Sequence, residues 1–181
     1  MTKNKIVITS AVRTAVGSLG KSLKNTPAEI LGAEVISNAI KKSKLNVNDP
    51  DEVIMGQVLT GSSGQNPARQ AAIKSGMPKE KTAYIVNQVC GSGIRSMASG
   101  YQSIKAGDSK IVVAGGQENM SLAPHAIHLR DGKKLGDTDL IDTMIKDGLW
   151  DAFHGYHMGV TAENVAEKFQ VTREEQDKFA L

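Results

Sequence analysis

A single cysteine carries the clearest chemical signal in this sequence. Cys90 follows the predicted strand TAYIVNQV (82–89) and precedes a glycine-rich turn that opens a predicted helix. Reactive groups of open α/β sheets gather where parallel strands end, and the positive end of a helix dipole makes a nearby sulfur a better nucleophile. Gly91 and Gly93 leave room for a substrate to approach that sulfur. These features indicate a nucleophilic Cys90, although its position alone also fits a buried structural cysteine.

The same turn fits a second kind of chemistry. Gly91, Gly93 and Ser96 follow the G-x-G-x-x-G/A spacing of dinucleotide-binding loops, with Ser96 in the third position. Glu118, beyond the next predicted strand, would then be the acid that binds the ribose. Such a loop usually opens a fold, whereas this one follows the third predicted strand. The spacing therefore favours a dinucleotide site only weakly.

Two further groups of polar residues are candidate site residues. The histidines form two pairs with i, i+3 spacing, His125/His128 and His154/His157, which could place two imidazoles on one helical face for a metal ion. A proline precedes the first pair and a glycine interrupts the second, so regular helices are disfavoured and no metal site is expected. Glu118, with the asparagine after it, could orient a catalytic group or satisfy loop amides.

The elements that position these residues alternate between strand and helix up to about residue 117. Short β-branched runs predict strands, and apolar residues at near-helical spacing predict helices, with Thr26-Pro27 and Asn66-Pro67 as helix starts. Apolar strands joined by helical crossovers indicate an α/β fold, with a mostly parallel sheet covered by helices on both faces. The predicted strands are 5–12, 52–59, 82–89 and 110–116, and the predicted helices are 26–44, 67–76 and 91–107.

This alternation stops after residue 118. Residues 120–139 show no clear period and predict a long loop. Thr172 and Glu175 have the spacing of a capping box, which predicts a helix from about residue 173. The sequence ends at Leu181, before a third turn of that helix, so we expect a truncated chain or a fragment. Two other short helices are predicted in this part, at 140–153 and 161–169.

Composition narrows the classes of function. The net charge is +3 and no run of Lys and Arg reaches about five, so no nucleic-acid partner is expected. The single cysteine excludes an internal disulfide framework. No stretch approaches the roughly 18 apolar residues of a membrane span, and the N-terminus lacks the apolar core of a signal peptide. We therefore expect a cytoplasmic protein with no membrane partner.

Several motifs together resemble one family. NQVCGSGI (87–94) resembles the sequence of thiolases around their acyl-accepting cysteine. The likeness covers nearly all 181 residues, in order and without large gaps, and the 140–153 stretch is most similar to the short-chain acetoacetyl-CoA thiolases. The other matching segments are VRTAVG (12–17), GQNPAR (64–69), AGGQENMS (114–121), APH (123–125), GYHMG (155–159) and TAEN (161–164).

The resemblance implies a thiolase-like layered fold and acyl exchange between CoA thioesters. Residues 1–117 would form the N-terminal thiolase α/β domain, and residues 118–181 would form a partial, apparently truncated loop domain that binds coenzyme A. Cys90 would accept an acyl group as a thioester, which a second acyl-CoA would attack through its α-carbon. Acetyl-CoA and acetoacetyl-CoA are the substrates that this implies, with no tightly bound cofactor.

The resemblance also assigns roles to individual residues. Gly91 would lie near the thioester, and His157 and Met158 would contact the pantetheine arm. Thiolases are longer than this chain, and their second half supplies a histidine that activates the nucleophile and a second cysteine that acts as acid and base. This chain alone is therefore expected to be inactive. A truncated non-catalytic thiolase-like protein and, less strongly, a dinucleotide-binding module remain the alternatives.

The resemblance further implies a homodimer or homotetramer. In thiolases the third strand, here 82–89, lies near the dimer contact, and the helix at 91–107 belongs to a layer shared by both halves. One face of this helix is apolar, and such a face is rarely left in water. We therefore expect self-association. The apolar face comprises Ile94, Met97, Ala98, Tyr101 and Ile104.

Overall fold

The computed structural model describes residues 5–181, which form two compact units. The first unit ends at Pro124, and the second runs from His125 to Leu181. In the first unit the elements are α1 (Ala28–Lys42), β1 (Glu52–Gly56), α2 (Pro67–Lys74), β2 (Thr82–Val86), α3 (Ser92–Ala106), β3 (Val112–Gly116) and a 3-10 turn at Met120–Leu122.

The predicted parallel sheet is confirmed. β1 lies between β2 and β3, and both pairings are parallel, with Ile54 opposite Tyr84 on one side and Ala114 on the other. Val53, Ile54 and Met55 of the central strand are at most 1% exposed. A strand buried on both faces needs apolar residues at successive positions, which is the pattern that predicted β1 from the sequence.

Helices cover both faces of this sheet, as predicted. Alternate residues of a strand point to opposite faces, so Val53 and Met55 share one face with the core cluster formed by α1 and α2. Ile36 and Ile40 of α1 and the alanines of α2 fill that cluster. α3 packs on the other face, where Gly56 lies against the start of the helix. α2 thus connects the neighbouring strands β1 and β2, and α3 crosses over β1 to connect β2 with β3.

Small residues let α3 approach the sheet closely. The buried side of the helix carries Ser92, Ser96 and Gly100, and a Cβ at Gly100 would lie only 3.0 Å from Cγ1 of Val112. The apolar side is turned away from the sheet, with Ile94 73% exposed and Tyr101 52% exposed. The apolar face predicted for this helix is therefore uncovered in the first unit.

The predicted strand at 5–12 is wrong. These residues form no strand in the described chain, and Val7 and Ile8 are 69% and 83% exposed. Hydrogen bonds attach the segment to the end of α1 instead, from the Ser10 hydroxyl to the Ala39 carbonyl and from Lys42 Nζ to the Ala11 carbonyl. β-branched residues form a strand only where another strand offers its backbone, and within residues 5–181 none pairs with this segment.

The two predicted helix starts have different outcomes. Thr26 does not cap α1, because the helix begins at Ala28 with Pro27 in the capping position and no side-chain cap. The carbonyl of Thr26 accepts a hydrogen bond from Asn119 Nδ2 at 2.7 Å instead. The cap at Asn66 is confirmed, since its side chain accepts from the backbone N–H of Arg69 and a proline follows.

The second unit consists of short elements. β4 (His125–Ala126) and β5 (Ile141–Asp142) pair antiparallel and are followed by a π-helical turn (Met144–Leu149), α4 (Met158–Phe169) and α5 (Arg173–Ala180). Of the long loop predicted at 120–139, residues 127–139 carry no helix or strand, as predicted, whereas the 3-10 turn and β4 form in its first part, where a loop was expected. In the part of the chain that the structure describes, no helix is long and apolar enough to cross a membrane.

The single helix predicted at 140–153 is wrong in form. Its start pairs as β5, and the Asp142 carboxylate accepts from the Met144 N–H at 2.9 Å, which starts a separate π-helical turn. Trp150 then leaves the helix to bridge His157. The last two helices are confirmed, although α4 begins at Met158, earlier than predicted.

Side-chain caps set where the last two helices of this unit begin. Nδ1 of His157 accepts from the Gly159 N–H at 3.0 Å, which adds a turn before the predicted start of α4. The capping box of α5 is present in both directions. The Glu175 N–H donates to the Thr172 hydroxyl at 3.2 Å, and the Thr172 N–H donates to the Glu175 carboxylate at 2.9 Å.

Candidate active site

Cys90 lies in the tight connection between β2 and α3. The strand ends at Val86 and the helix begins at Ser92, with Gly91 in its N-cap position. The thiol is free and exposed, which disagrees with the buried structural role that position alone allowed. An exposed thiol at this end of the sheet, directly before a helix, is placed as a nucleophile needs to be.

The residue before the cysteine has a strained backbone. Val89 has φ 48°, in the left-handed region that β-branched residues rarely adopt. Its N–H donates to Oδ1 of Asn87 at 2.9 Å, and its carbonyl accepts from the Ser92 hydroxyl at 2.6 Å. Sequence reasoning missed this feature because a valine gives no signal for positive φ. Local strain of this kind is found most often at functional sites.

Gly56 brings the start of α3 against the sheet, and Gly91 tightens the turn before the helix. A Cβ at Gly56 would lie 2.5 Å from the backbone carbon of Ser92 and 2.7 Å from the Gly93 nitrogen, so only glycine fits there. A Cβ at Gly91 would lie 3.2 Å from the Gln88 carbonyl oxygen. A Cβ at Gly93, by contrast, would meet nothing within 4 Å. Gly93 therefore does leave open space beside the turn, as predicted.

We expect Gly56→Ala to destabilise the chain by about 1–3 kcal/mol, because the added methyl group overpacks against backbone that cannot rotate away. Gly93→Ala is the matched control. It adds the same methyl group to open space on a helix, and its stability should stay within about 1 kcal/mol of the parent. Urea unfolding of the three proteins measures the difference. Equal stabilities for the two variants would contradict the close approach of α3 to β1.

Polar side chains also close the ends of β1 and β3. The Glu118 carboxylate accepts from the N–H groups of Val58 and Leu59 at 2.8 and 3.2 Å. Burial raises the pKa of Glu118, and these two hydrogen bonds partly offset the rise. Glu118 therefore satisfies loop amides, which is one of the roles that the sequence allows. Its carboxylate is already hydrogen-bonded, whereas a ribose-binding acid would need a free carboxylate.

The side-chain amides of Asn119, Gln57 and Gln117 also make structural hydrogen bonds next to these strand ends. Nδ2 of Asn119 donates to the carbonyls of Leu23 and Thr26, and its Oδ1 accepts from the Ser121 N–H. Gln57 and Gln117 form a buried pair, with Nε2 of Gln117 donating to Oε1 of Gln57 at 2.9 Å. Sequence reasoning missed this pair. The available signal was a glutamine inside the predicted strand 52–59 and another directly after the predicted strand 110–116.

The raised pKa of Glu118 predicts how it contributes to stability at different pH. A carboxyl group whose pKa is higher in the folded state than its ordinary value of about 4.3 binds protons more tightly when folded. Its contribution is then fully present below about pH 4.3 and falls as the pH rises through the folded value. Between about pH 4 and pH 7, the parent should lose stability relative to Glu118→Gln, as measured by urea unfolding at both pH values. A relative gain by the parent would reverse the sign and contradict this assignment.

The remaining candidate residues lie in the second unit. His157 is the N-cap residue of α4, and Met158 is its first residue and 42% exposed. His154 contacts the Asp151 carboxylate at 3.1 Å, and His125 lies 3.8 Å from the Asp142 carboxylate. Within residues 5–181, no three side chains of the metal-ligating types lie together. Cys90 belongs to the first unit, so a shared site of Cys90 with His157 and Met158 stays a prediction.

Comparison with known proteins identifies the family. A family model described as the thiolase N-terminal domain matches residues 6–181. The chain belongs to the thiolase family. The matched range includes the turn around Cys90, NQVCGSGI (87–94).

The relatives compared with this chain are named acetyl-CoA acetyltransferases. The chain is 60% identical over its whole length to an acetyl-CoA acetyltransferase of Rhizobium meliloti, of which it covers 46%. It is 58% identical to an acetyl-CoA acetyltransferase of Shinella zoogloeoides, again over the whole chain and 46% of the relative. A cytosolic acetyl-CoA acetyltransferase of Rattus norvegicus is 51% identical over 97% of the chain and 44% of its own length. This thiolase chain thus spans slightly less than half the length of these relatives.

Proposed function

We propose that this thiolase chain supplies the N-terminal part of an acetyl-CoA C-acetyltransferase, with Cys90 as the acyl-accepting nucleophile. The observation that carries the proposal is the exposed thiol of Cys90, in a strained turn directly before α3, within the residues that the thiolase family model matches. The names of the relatives support acetyl-CoA as a substrate. Acetoacetyl-CoA, the product of acetyl transfer to a second acetyl-CoA, is proposed as the substrate of the reverse reaction, and no tightly bound cofactor is part of the proposal.

The reaction follows from nucleophilic catalysis in two steps. The Cys90 thiolate attacks the carbonyl carbon of acetyl-CoA, and the coenzyme A thiolate leaves and takes up a proton, so that an acetyl thioester remains on Cys90. A base then removes a proton from the α-carbon of a second acetyl-CoA. This carbon attacks the acetyl carbonyl, acetoacetyl-CoA forms, and the Cys90 thiolate leaves. Thiolysis of acetoacetyl-CoA is the same sequence in reverse.

Other residues have supporting roles in this proposal. Gly91 lies next to the nucleophile, where the lack of a side chain admits the thioester. His157 and Met158 would contact the pantetheine arm, and the exposure of Met158 supports an open position for such a contact. We also assign residues 118–181 to the beginning of a coenzyme A-binding loop domain. We expect no turnover from the chain alone, since the base and the second acid–base group are proposed to come from outside it.

We further propose that the protein works as a homodimer or homotetramer in the cytoplasm. The uncovered apolar face of α3 and the position of β2 at an edge of the sheet support self-association. The cytosolic designation in the name of the Rattus norvegicus relative supports the compartment.

A hybrid protein tests the proposed activity. Residues 1–181 would replace the matching part of the Rhizobium meliloti relative, and acetoacetyl-CoA thiolysis would be followed by the loss of substrate absorbance. We expect the hybrid to turn over and the 181-residue chain alone to give no product. A folded hybrid with no activity, beside an active parent relative, would instead support the non-catalytic alternative.

A further inference from the structure

The turn before Cys90 is held from both sides. The Val89 N–H donates to Oδ1 of Asn87 at 2.9 Å, and the Val89 carbonyl accepts from both the hydroxyl and the N–H of Ser92 at 2.6 and 3.1 Å. The Ser92 hydroxyl also accepts from the Gln88 N–H at 2.8 Å. Three of these four hydrogen bonds are made by Val89, which has the positive φ, and the fourth is made by Gln88 directly before it.

Fixing Val89 also fixes the backbone of Cys90. The peptide group is planar, so the direction of the Val89 carbonyl sets the direction of the Cys90 N–H across the same bond. A valine with φ 48° tends to relax to negative φ unless its surroundings prevent this. Relaxation would rotate that peptide plane and move the Cys90 side chain away from the start of α3. The hydrogen bonds of Asn87 and Ser92 prevent this rotation.

We propose that Asn87 and Ser92 are positioning residues, which hold Val89 in the left-handed conformation and thereby orient the thiol of Cys90. This inference rests on the proposed role of Cys90 as the nucleophile. Ser92 is 4% exposed and its hydroxyl has both of its described bonds within the turn. Asn87 is exposed, so its side chain can be truncated without opening a cavity.

The test is the rate at which iodoacetamide alkylates Cys90 in the 181-residue chain, because this rate does not require acyl transfer. We expect Ser92→Ala and Asn87→Ala each to slow alkylation by about twofold to fivefold, since the thiol loses its alignment with the helix dipole. Ser96→Ala is the matched control. It removes a buried hydroxyl from the same face of α3, but this hydroxyl donates to the Gly93 and Gly115 carbonyls and should not affect the rate.

A second substitution separates positioning from general stability. Glycine adopts positive φ without strain, so Val89→Gly in the Ser92→Ala background should restore most of the lost rate without restoring any hydrogen bond. Asn87→Ala with Val89→Gly gives the same comparison if Ser92→Ala does not fold. Unchanged alkylation in the single variants, no recovery in the double variants, or equal slowing by Ser96→Ala would each overturn the proposal. If Cys90 had no catalytic role, these rates would still differ while the hybrid enzyme stayed inactive.

Discussion

Cys90→Ser is expected to lower acyl transfer by the hybrid enzyme by a factor of at least about 10³ and to leave its fold intact. A hydroxyl has nearly the size of a thiol, but it is a far poorer nucleophile at neutral pH without a base tuned to activate it. Because Cys90 is exposed and makes no disulfide, the substitution removes no buried packing. The measurement is acetoacetyl-CoA thiolysis at saturating substrate, together with the thermal unfolding midpoint.

The matched control for this prediction is Ser96→Ala, which changes a hydroxyl on the same helix without touching the turn. It should keep activity of the parent's order even if it unfolds at a lower temperature. Near-normal turnover by Cys90→Ser would show that Cys90 is not the nucleophile, whatever the family resemblance.

The second large effect is expected on self-association. We predict that the chain sediments faster than a monomer at micromolar concentration and that Met97→Lys weakens this association by at least about tenfold. Met97 is 47% exposed on the apolar face of α3, beside Ile94 and Tyr101, and a buried ammonium group without a partner opposes any contact on that face.

Gln102→Lys provides the comparison for Met97→Lys. Gln102 is exposed on the same helix but outside the apolar face, so the same charge is introduced where no contact is expected. Its association should match that of the parent. A parent chain that sediments as a sharp monomer would contradict the proposed interface, and equal weakening by both lysines would show that net charge, and not the face, controls association.

The sequence predicted those elements whose formation depends on residues within the element or directly beside it. β1 was predictable because a strand buried on both faces must be apolar at successive positions, and Val53–Ile54–Met55 has this pattern. α2 was predictable because Asn66 and Pro67 satisfy the start of a helix locally. The strand expected at 5–12 depended instead on a partner strand, and the residues of one segment do not show whether a partner strand will lie beside it.

The candidate site divides in the same way. The position of Cys90 between a strand and a helix followed from the alternation of apolar periods and from the glycines after it. The left-handed Val89 and the buried Gln57–Gln117 pair did not follow, because each exists only through contacts made after folding. In the sequence, Ser92 is only a small residue in a glycine-rich turn. The structure shows that its hydroxyl bonds the Gln88 N–H and the Val89 carbonyl.

The direct test of the central claim is the identification of the acylated residue. The hybrid enzyme would be mixed with acetyl-CoA, quenched in acid within one turnover, digested and analysed by mass spectrometry. We predict one acetyl group on the peptide that contains Cys90, absent from Cys90→Ser and removed when free coenzyme A is added before the quench. An active hybrid whose acetyl group is found on another residue, or on none, would contradict the assignment of Cys90 as the acyl-accepting nucleophile.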